Sequence, residues 1–243
     1  SGKIVGISGT IDDISVRKKA EQRLKHVALH DTLTGIHNRY YFDNELKNVA
    51  SIATRTGIYH SLIYLDLDHF KIINDSQGHH QGDLVLKEIA RLLSERTRAS
   101  DTLCRIGGDE FAILLTNTSV GDAEKVALEI CETIADSSFK FADQVYKVSC
   151  SIGISVIDGK AISSEIYLQQ ADIAMFAAKE QGRNRVHLFT EDDNVTDELK
   201  QSFEWAQKLQ KALLEDNILL HFQPIIDVKT REIEYFEALV RLQ

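Results

Sequence analysis

The stretch Thr102-Leu103-Cys104-Arg105-Ile106-Gly107-Gly108-Asp109-Glu110-Phe111-Ala112-Ile113-Leu114-Leu115 holds two short apolar runs on either side of a glycine pair. That pattern predicts a β-hairpin, with strands at 102–106 and 110–115. Two acids, Asp109 and Glu110, sit at its tip. Gly107 and Gly108 lack a Cβ, so the backbone there can approach a ligand. Working outward, residues 61–67 form another apolar run that reads as a buried strand, ending on Asp66 and Asp68. A carboxylate at the end of an apolar strand is costly unless it meets a cation. If the two strands are neighbours, Asp66 and Asp109 converge on one sheet edge. Two carboxylates there suit Mg²⁺, which prefers oxygen ligands and phosphate partners. A glycine turn with solvated acids fits the same short pattern, and the hairpin alone does not separate the two.

Around this centre, residues 31–35 break the local pattern and Asn38 can cap a helix running to about residue 54. After Asp68, a loop and short turn lead to a helix over about 81–98, with Leu84, Leu86, Ile89, Leu92 and Leu93 as its apolar face. Helices are expected at about 120–135 and 163–180, and strands at about 145–156 and 185–188. The order predicts an α/β (α+β) sandwich, a central mostly antiparallel sheet with flanking helices. Lys179 and Arg183, spaced i, i+4 at a helix end, can face one ligand, or form a solvated basic helix end.

Bulk composition narrows the partners. The 243 residues suffice for one domain plus substantial extra pieces. A formal net charge of −9 argues against a large nucleic-acid footprint. It does not argue against a mononucleotide, provided cations are local or a metal intervenes. Cys104, Cys131 and Cys150 form no C-x-x-C pair and read as buried free thiols in a reducing compartment. His26 and His30 read as a polar helix end rather than a metal pair. There is no run of 18 apolar residues and no signal peptide, so a cytoplasmic chain is expected, with any membrane anchor in regions outside it.

Four segments in order carry a family resemblance: Asp31-Thr32-Leu33-Thr34-Gly35-Ile36-His37-Asn38-Arg39; Asp66-Leu67-Asp68-His69-Phe70-Lys71 with Asn74-Asp75, Gly78-His79 and Gly82-Asp83; Arg105-Ile106-Gly107-Gly108-Asp109-Glu110-Phe111; and Lys179 with Gly182-Arg183-Asn184. Over roughly 31–189 the chain resembles the GGDEF family of diguanylate cyclases, with Ile36 where Leu is usual. The resemblance implies a palm-like domain similar to the nucleotide cyclase and polymerase palm. It implies that Asp66, the backbone carbonyl of Leu67, and Asp109 hold Mg²⁺, or Mn²⁺ in its place. Asp109, Glu110 and Asp66 would be catalytic, with Glu110 assisting the metal or deprotonation of the attacking 3′-hydroxyl. Asn74 and Asp83 would read guanine, whose N1–H and N2–H₂ donors suit such acceptors. Phe70, Lys71, Lys179 and Arg183 would surround the triphosphate beside Gly107 and Gly108. The implied reaction condenses two GTP into cyclic di-GMP and two pyrophosphates, and needs a homodimer for turnover. Arg98-Ala99-Ser100-Asp101 lies where the family carries an R-x-x-D site that binds the product and inhibits.

The flanks resemble other modules. Residues 1–14 look like the tail of a PAS domain, followed by a signalling helix at 15–30 whose narrow apolar stripe, Val16, Ala20, Leu24, Val27 and Ala28, suits pairing with a second helix. The cyclase domain is then expected at 31–190, and a linker and helix at 191–216. Residues 217–243 look like the start of an EAL phosphodiesterase domain, with Gln223, Glu237 and Arg241 as a partial site that is too truncated to be active. A strand is expected from residue 218, interrupted at Pro224. Two rival readings are a silent GTP-binding module that regulates an attached EAL domain, and a cyclic di-GMP receptor acting through Arg98 and Asp101.

Overall fold

The structure, a computed structural model, describes residues 27–141, 144–161, 163–190, 193, 217–227 and 231–242. Its contacts divide the chain into two units, Ser1–Asp193 and Asn194–Gln243.

In the first unit, α1 (Arg39–Thr56) begins where the Asn38 side chain accepts the Tyr41 backbone N–H at 3.0 Å, as the sequence predicts. It leads into β1 (His60–Leu67), then α2 (Phe70–Gln77) and α3 (His79–Arg96). The hairpin follows as β2 (Thr102–Gly107) and β3 (Glu110–Leu115), then α4 (Val120–Asp136). After a small ribbon of β4 (Phe139–Phe141) and β5 (Gln144–Tyr146) come β6 (Cys150–Ile157), α5 (Ser164–Glu180) and β7 (Arg185–Leu188).

Five strands form one sheet in the order β2-β3-β1-β6-β7. All pairings in it are antiparallel except β6 with β7. β1 lies at the centre and is buried on both faces, which is why it reads as an unbroken apolar run. Alternate β1 residues serve different cores. Leu62 and Tyr64 join Phe42 and Leu46 of α1 and Ala171 and Met175 of α5. Ile63, Leu65 and Leu67 join Val85 and Ile89 of α3 and Ile130 and Ile134 of α4. Burying one such Leu or Ile side chain stabilises by about 1.5–3 kcal/mol, so the two cores hold the edge that β1 and β3 share.

Three local expectations change. The segment read as a loop and turn contains α2, a helix of 8 residues whose N-cap, His69, offers no side-chain hydrogen bond. Two turns are too short for a 3.6-residue period to stand out. The strand expected over 145–156 is two elements, because β5 belongs to the separate ribbon with β4. In the second unit, β8 (Ile218–Ile226) runs through Pro224 and pairs antiparallel with β9 (Ile233–Leu242). A two-stranded ribbon leaves an unpaired edge on each strand, so a residue without an N–H is tolerated. The expected PAS tail at 1–14 and, apart from Asp193, the expected linker and helix at 191–216 lie outside the described residues; of the helix at 15–30 only residues 27–30 are described, with 27–29 helical. Among the described residues no helix is long and apolar enough to cross a membrane.

Candidate active site

The register of the sheet brings the predicted carboxylates together. Asp66 of β1 lies directly opposite Glu110 of β3. The Leu67 N–H donates to the Asp109 carbonyl at 3.3 Å, joining the hairpin tip to the end of β1. Lys179, near the end of α5, places its Nζ 2.8 Å from Asp66 Oδ1. Burial pushes the Asp66 carboxyl above its ordinary range; Lys179 opposes this and Asp109 adds to it. Burial also raises Asp109, opposed by Lys179 and reinforced by Glu110. One ammonium thus faces several carboxylates in a partly desolvated edge. That donor set favours a cation with oxygen preference. Among the described residues, no group of three or more His, Cys, Asp or Glu side chains is arranged to hold an ion by itself. Asp66, Asp109 and a backbone carbonyl would leave part of an Mg²⁺ shell to phosphate and water, which is how Mg²⁺ usually binds.

Two residues not singled out from the sequence join this face. Burial, with the Glu110 charge beside it, pushes the Tyr64 phenol far up. Asp172, on α5 two turns before Lys179, is raised by burial and by Glu110. Its only sequence signal is the seven-residue spacing from Lys179.

The hairpin tip is braced from the N-terminal motif. Gly108 adopts φ +48, a left-handed conformation that favours glycine, and its carbonyl accepts Arg105 Nε at 3.0 Å and Nη2 at 2.7 Å. A Cβ at Gly107 or Gly108 would meet nothing within 4 Å, so the tip is open to a ligand. The same Arg105 guanidinium reaches both Asp31 oxygens, at 3.1 and 3.2 Å, and both side chains are largely buried. Thr34 donates its N–H and hydroxyl to Asp31 Oδ1. Burial alone would raise the Asp31 carboxyl, but the Thr34 and Arg105 bonds outweigh it and hold the carboxyl low. Spacing could not reveal this pair, because 74 residues separate its members.

Across the junction of α2 and α3, Asn74 packs against Gly82, the residue before Asp83. A Cβ at Gly82 would lie 1.9 Å from Asn74 Oδ1, so only glycine lets the Asn74 side chain lie there. Phe70 differs from expectation: it is 6% exposed and packs in the core with Leu65 and Ile89. Its backbone N–H lies in the first turn of α2, and Lys71 is exposed. Arg183 also differs, since α5 ends at Glu180 and Arg183 has φ +62 in the turn beyond. It therefore does not continue the helical face of Lys179.

At the open end of the β2–β3 hairpin, opposite its tip, Asp101 Oδ2 accepts the Arg98 backbone N–H at 3.0 Å and Oδ1 accepts that of Thr116 at 3.3 Å. Arg96, Arg98, Asp101, Asn117 and Asp122 line one cleft. In the second unit Gln223 and Glu237 are register partners, with Arg241 four residues along on the same face of β9.

Residues 28–185 match the family described as diguanylate cyclase, GGDEF domain. The chain is 37% identical over 188 residues to a probable diguanylate cyclase, DgcE of Escherichia coli, covering 77% of this chain and 17% of that protein. It is 33% identical over 223 residues to the bifunctional diguanylate cyclase/cyclic di-GMP phosphodiesterase MucR of Pseudomonas aeruginosa, covering 92% of this chain and 32% of that one. The chain thus spans a third or less of each of these relatives. Among solved structures, the coiled coil and GGDEF domain of DgcB from Caulobacter crescentus in complex with c-di-GMP superposes with a TM-score of 0.69 at 27% identity, covering 72% of this chain and 93% of that one. With the carboxylate edge, the braced glycine tip and the closing turn all inside the matched span, the chain belongs to the GGDEF family of diguanylate cyclases.

Proposed function

We propose that this chain condenses two GTP into cyclic di-GMP and two pyrophosphates. The observation that carries the reading is the pairing of Asp66 with Glu110 at the sheet edge, with Asp109 beside them and Lys179 on Asp66. Asp66, the Leu67 carbonyl and Asp109 would hold Mg²⁺, or Mn²⁺ in its place. The metal, when bound, lowers the barrier to deprotonating the 3′-hydroxyl and neutralises charge on the transferred α-phosphoryl. Glu110, opposite Asp66 in the sheet register, would accept that proton.

The remaining roles follow position. Asn74 and Asp83 accept from guanine N1–H and N2–H₂, a donor pattern adenine lacks. The first-turn amides of α2 at Phe70 and Lys71, the Lys71 side chain, Lys179 and Arg183 meet the triphosphate over Gly107 and Gly108. Lys179, now on Asp66, would also be in reach of a phosphate oxygen. One such edge presents one GTP, so turnover needs two chains face to face, with residues 15–30 as the pairing helix. Arg98 and Asp101 bind the product and inhibit, as their common cleft permits.

The flanking assignments are proposals of the same kind: residues 1–14 as a PAS tail, 31–190 as the cyclase domain, and 217–243 as the start of an EAL domain. The Gln223–Glu237 register supports a shared site in that last segment. In the second reading, the cyclase-like unit binds GTP and regulates an attached phosphodiesterase. Mass spectrometry decides between them. Nucleotide-stripped protein at high concentration is given GTP and Mg²⁺. Cyclic di-GMP that disappears with Asp109→Ala establishes the cyclase. GTP binding with no product, even from an artificially dimerised chain, would replace it with the regulatory reading.

A further inference from the structure

Asp68 lies two residues after Asp66 but is used differently. It is 6% exposed. Its Oδ1 accepts Ser151 Oγ at 2.7 Å, and its Oδ2 accepts Ser149 Oγ at 2.6 Å and the Asn184 backbone N–H at 3.1 Å. Its own N–H donates to the Ser149 carbonyl at 2.9 Å. Three donors on one buried carboxylate satisfy the charge from within the protein, leaving little for a metal.

What this carboxylate holds is a strained turn. Gly182, Arg183 and Asn184 follow one another at φ +115, +62 and +46. Two successive non-glycine residues in the left-handed region persist only where neighbours over-determine them. The surrounding bonds do so. The Arg183 N–H donates to the Ala178 carbonyl at 3.0 Å and its carbonyl accepts Arg185 Nε at 3.1 Å. Cys131 Sγ approaches Asn184 Oδ1 at 3.6 Å. Of these ties, only Asp68 links the turn to the end of β1 that carries Asp66 and Leu67.

We propose that Asp68 is a positioning residue that acts through Arg183, clamping the turn so that the guanidinium is aimed at the nucleotide's polyphosphate. The proposal rests on the nucleotide-binding reading above. A side chain launched from a fixed backbone loses less freedom on binding than one launched from a loose turn, so the clamp raises affinity for phosphates without touching them. It predicts a selective defect, in the phosphate half of the ligand and only while Arg183 is present.

The test is a double-mutant cycle on the full chain, titrating GTP and GMP by calorimetry at protein concentrations too low for turnover. Asp68→Asn should weaken GTP about tenfold while GMP changes by less than about twofold. In an Arg183→Ala background, Asp68→Asn should change GTP affinity by less than about twofold. Equal losses for GTP and GMP, or the same loss with and without Arg183, would make Asp68 a merely structural residue and overturn the clamp. If Asp68→Asn does not fold, Ser151→Ala removes one donor and should give the same selectivity at smaller amplitude; uniform loss there overturns the proposal equally. A wild-type chain that binds neither nucleotide would instead overturn the nucleotide reading.

Discussion

Two groups of carboxylates share this domain, and their surroundings are opposite. At the sheet edge, Asp66, Asp109 and Glu110 crowd together with Lys179 as the ammonium among them, and burial raises the first two. At the braces, Asp31 takes Thr34 and Arg105, and Asp68 takes two serine hydroxyls and a backbone N–H. Both groups are partly or fully buried. The difference lies in who supplies the positive charge. A carboxylate with its donors inside the protein holds structure together; one left short of donors is held ready for a ligand that brings charge with it. The braces keep the short-handed carboxylates in place, since Arg105 reaches both Asp31 and the Gly108 carbonyl beside Asp109.

The largest test of this contrast is Asp109→Ala. It should lower turnover by about 10³-fold or more with the fold intact, read by cyclic di-GMP formation and circular dichroism. Substantial residual activity would move the metal carboxylate elsewhere. Asp31→Ala should do the reverse. It leaves a largely buried guanidinium without its carboxylate, and urea unfolding should show a loss of about 1–3 kcal/mol. An unchanged midpoint would remove Asp31 from the braces.

Asp83→Ala probes the base rather than the charge, and should cut the preference for GTP over ATP about tenfold or more in competition binding. Unaltered preference would place guanine reading on other residues.

The pH dependence of stability separates the two groups by sign. Asp109 has a raised pKa in the folded chain, so between its unfolded and folded values the folded state binds more protons. Its ionisation therefore costs stability as pH rises through that window. In metal-free buffer, Asp109→Asn should raise Tm by a few degrees at pH 7, and the gain should fade as pH drops toward the unfolded carboxylate value of about 4. Asp31 is lowered, so its contribution is present above the unfolded value and is lost as pH falls through the folded one. Asp31→Asn should accordingly cost most at neutral pH, and least in acid. Two Tm profiles with the same sign would break the comparison.

Smallest in its effect on either group is Arg98→Ala, in a cleft lined by neither. Stability should stay within about 0.5 kcal/mol of wild type. The cyclic di-GMP concentration that halves the rate should rise several-fold, and an unmoved inhibition curve would take this cleft out of regulation.

Much of this is legible in the amino-acid sequence alone. The hairpin at Gly107-Gly108, the strand ending on Asp66 and the cap at Asn38 rest on local rules: turn chemistry, apolar runs and side-chain capping act within a few residues. The same locality explains the misreadings. Phe70 stands beside Lys71 in a motif, and only the packing of α2 against α3 turns its ring into the core. Arg183 keeps helical spacing from Lys179, but the chain has already left the helix at Gln181.

The sequence by itself determined the order of the main elements apart from α2 and the β4–β5 ribbon, the mostly antiparallel sheet and the four motifs that mark the family, because each is written in neighbouring residues. Only the tertiary structure decided which carboxylates are satisfied. Asp31 finds Arg105 across 74 residues, and Asp68 finds Ser149, Ser151 and Asn184 across 81, 83 and 116. An ion pair or hydrogen bond depends on distances of a few ångströms in space. Strand register and helix packing set those distances, and no spacing along the chain encodes them.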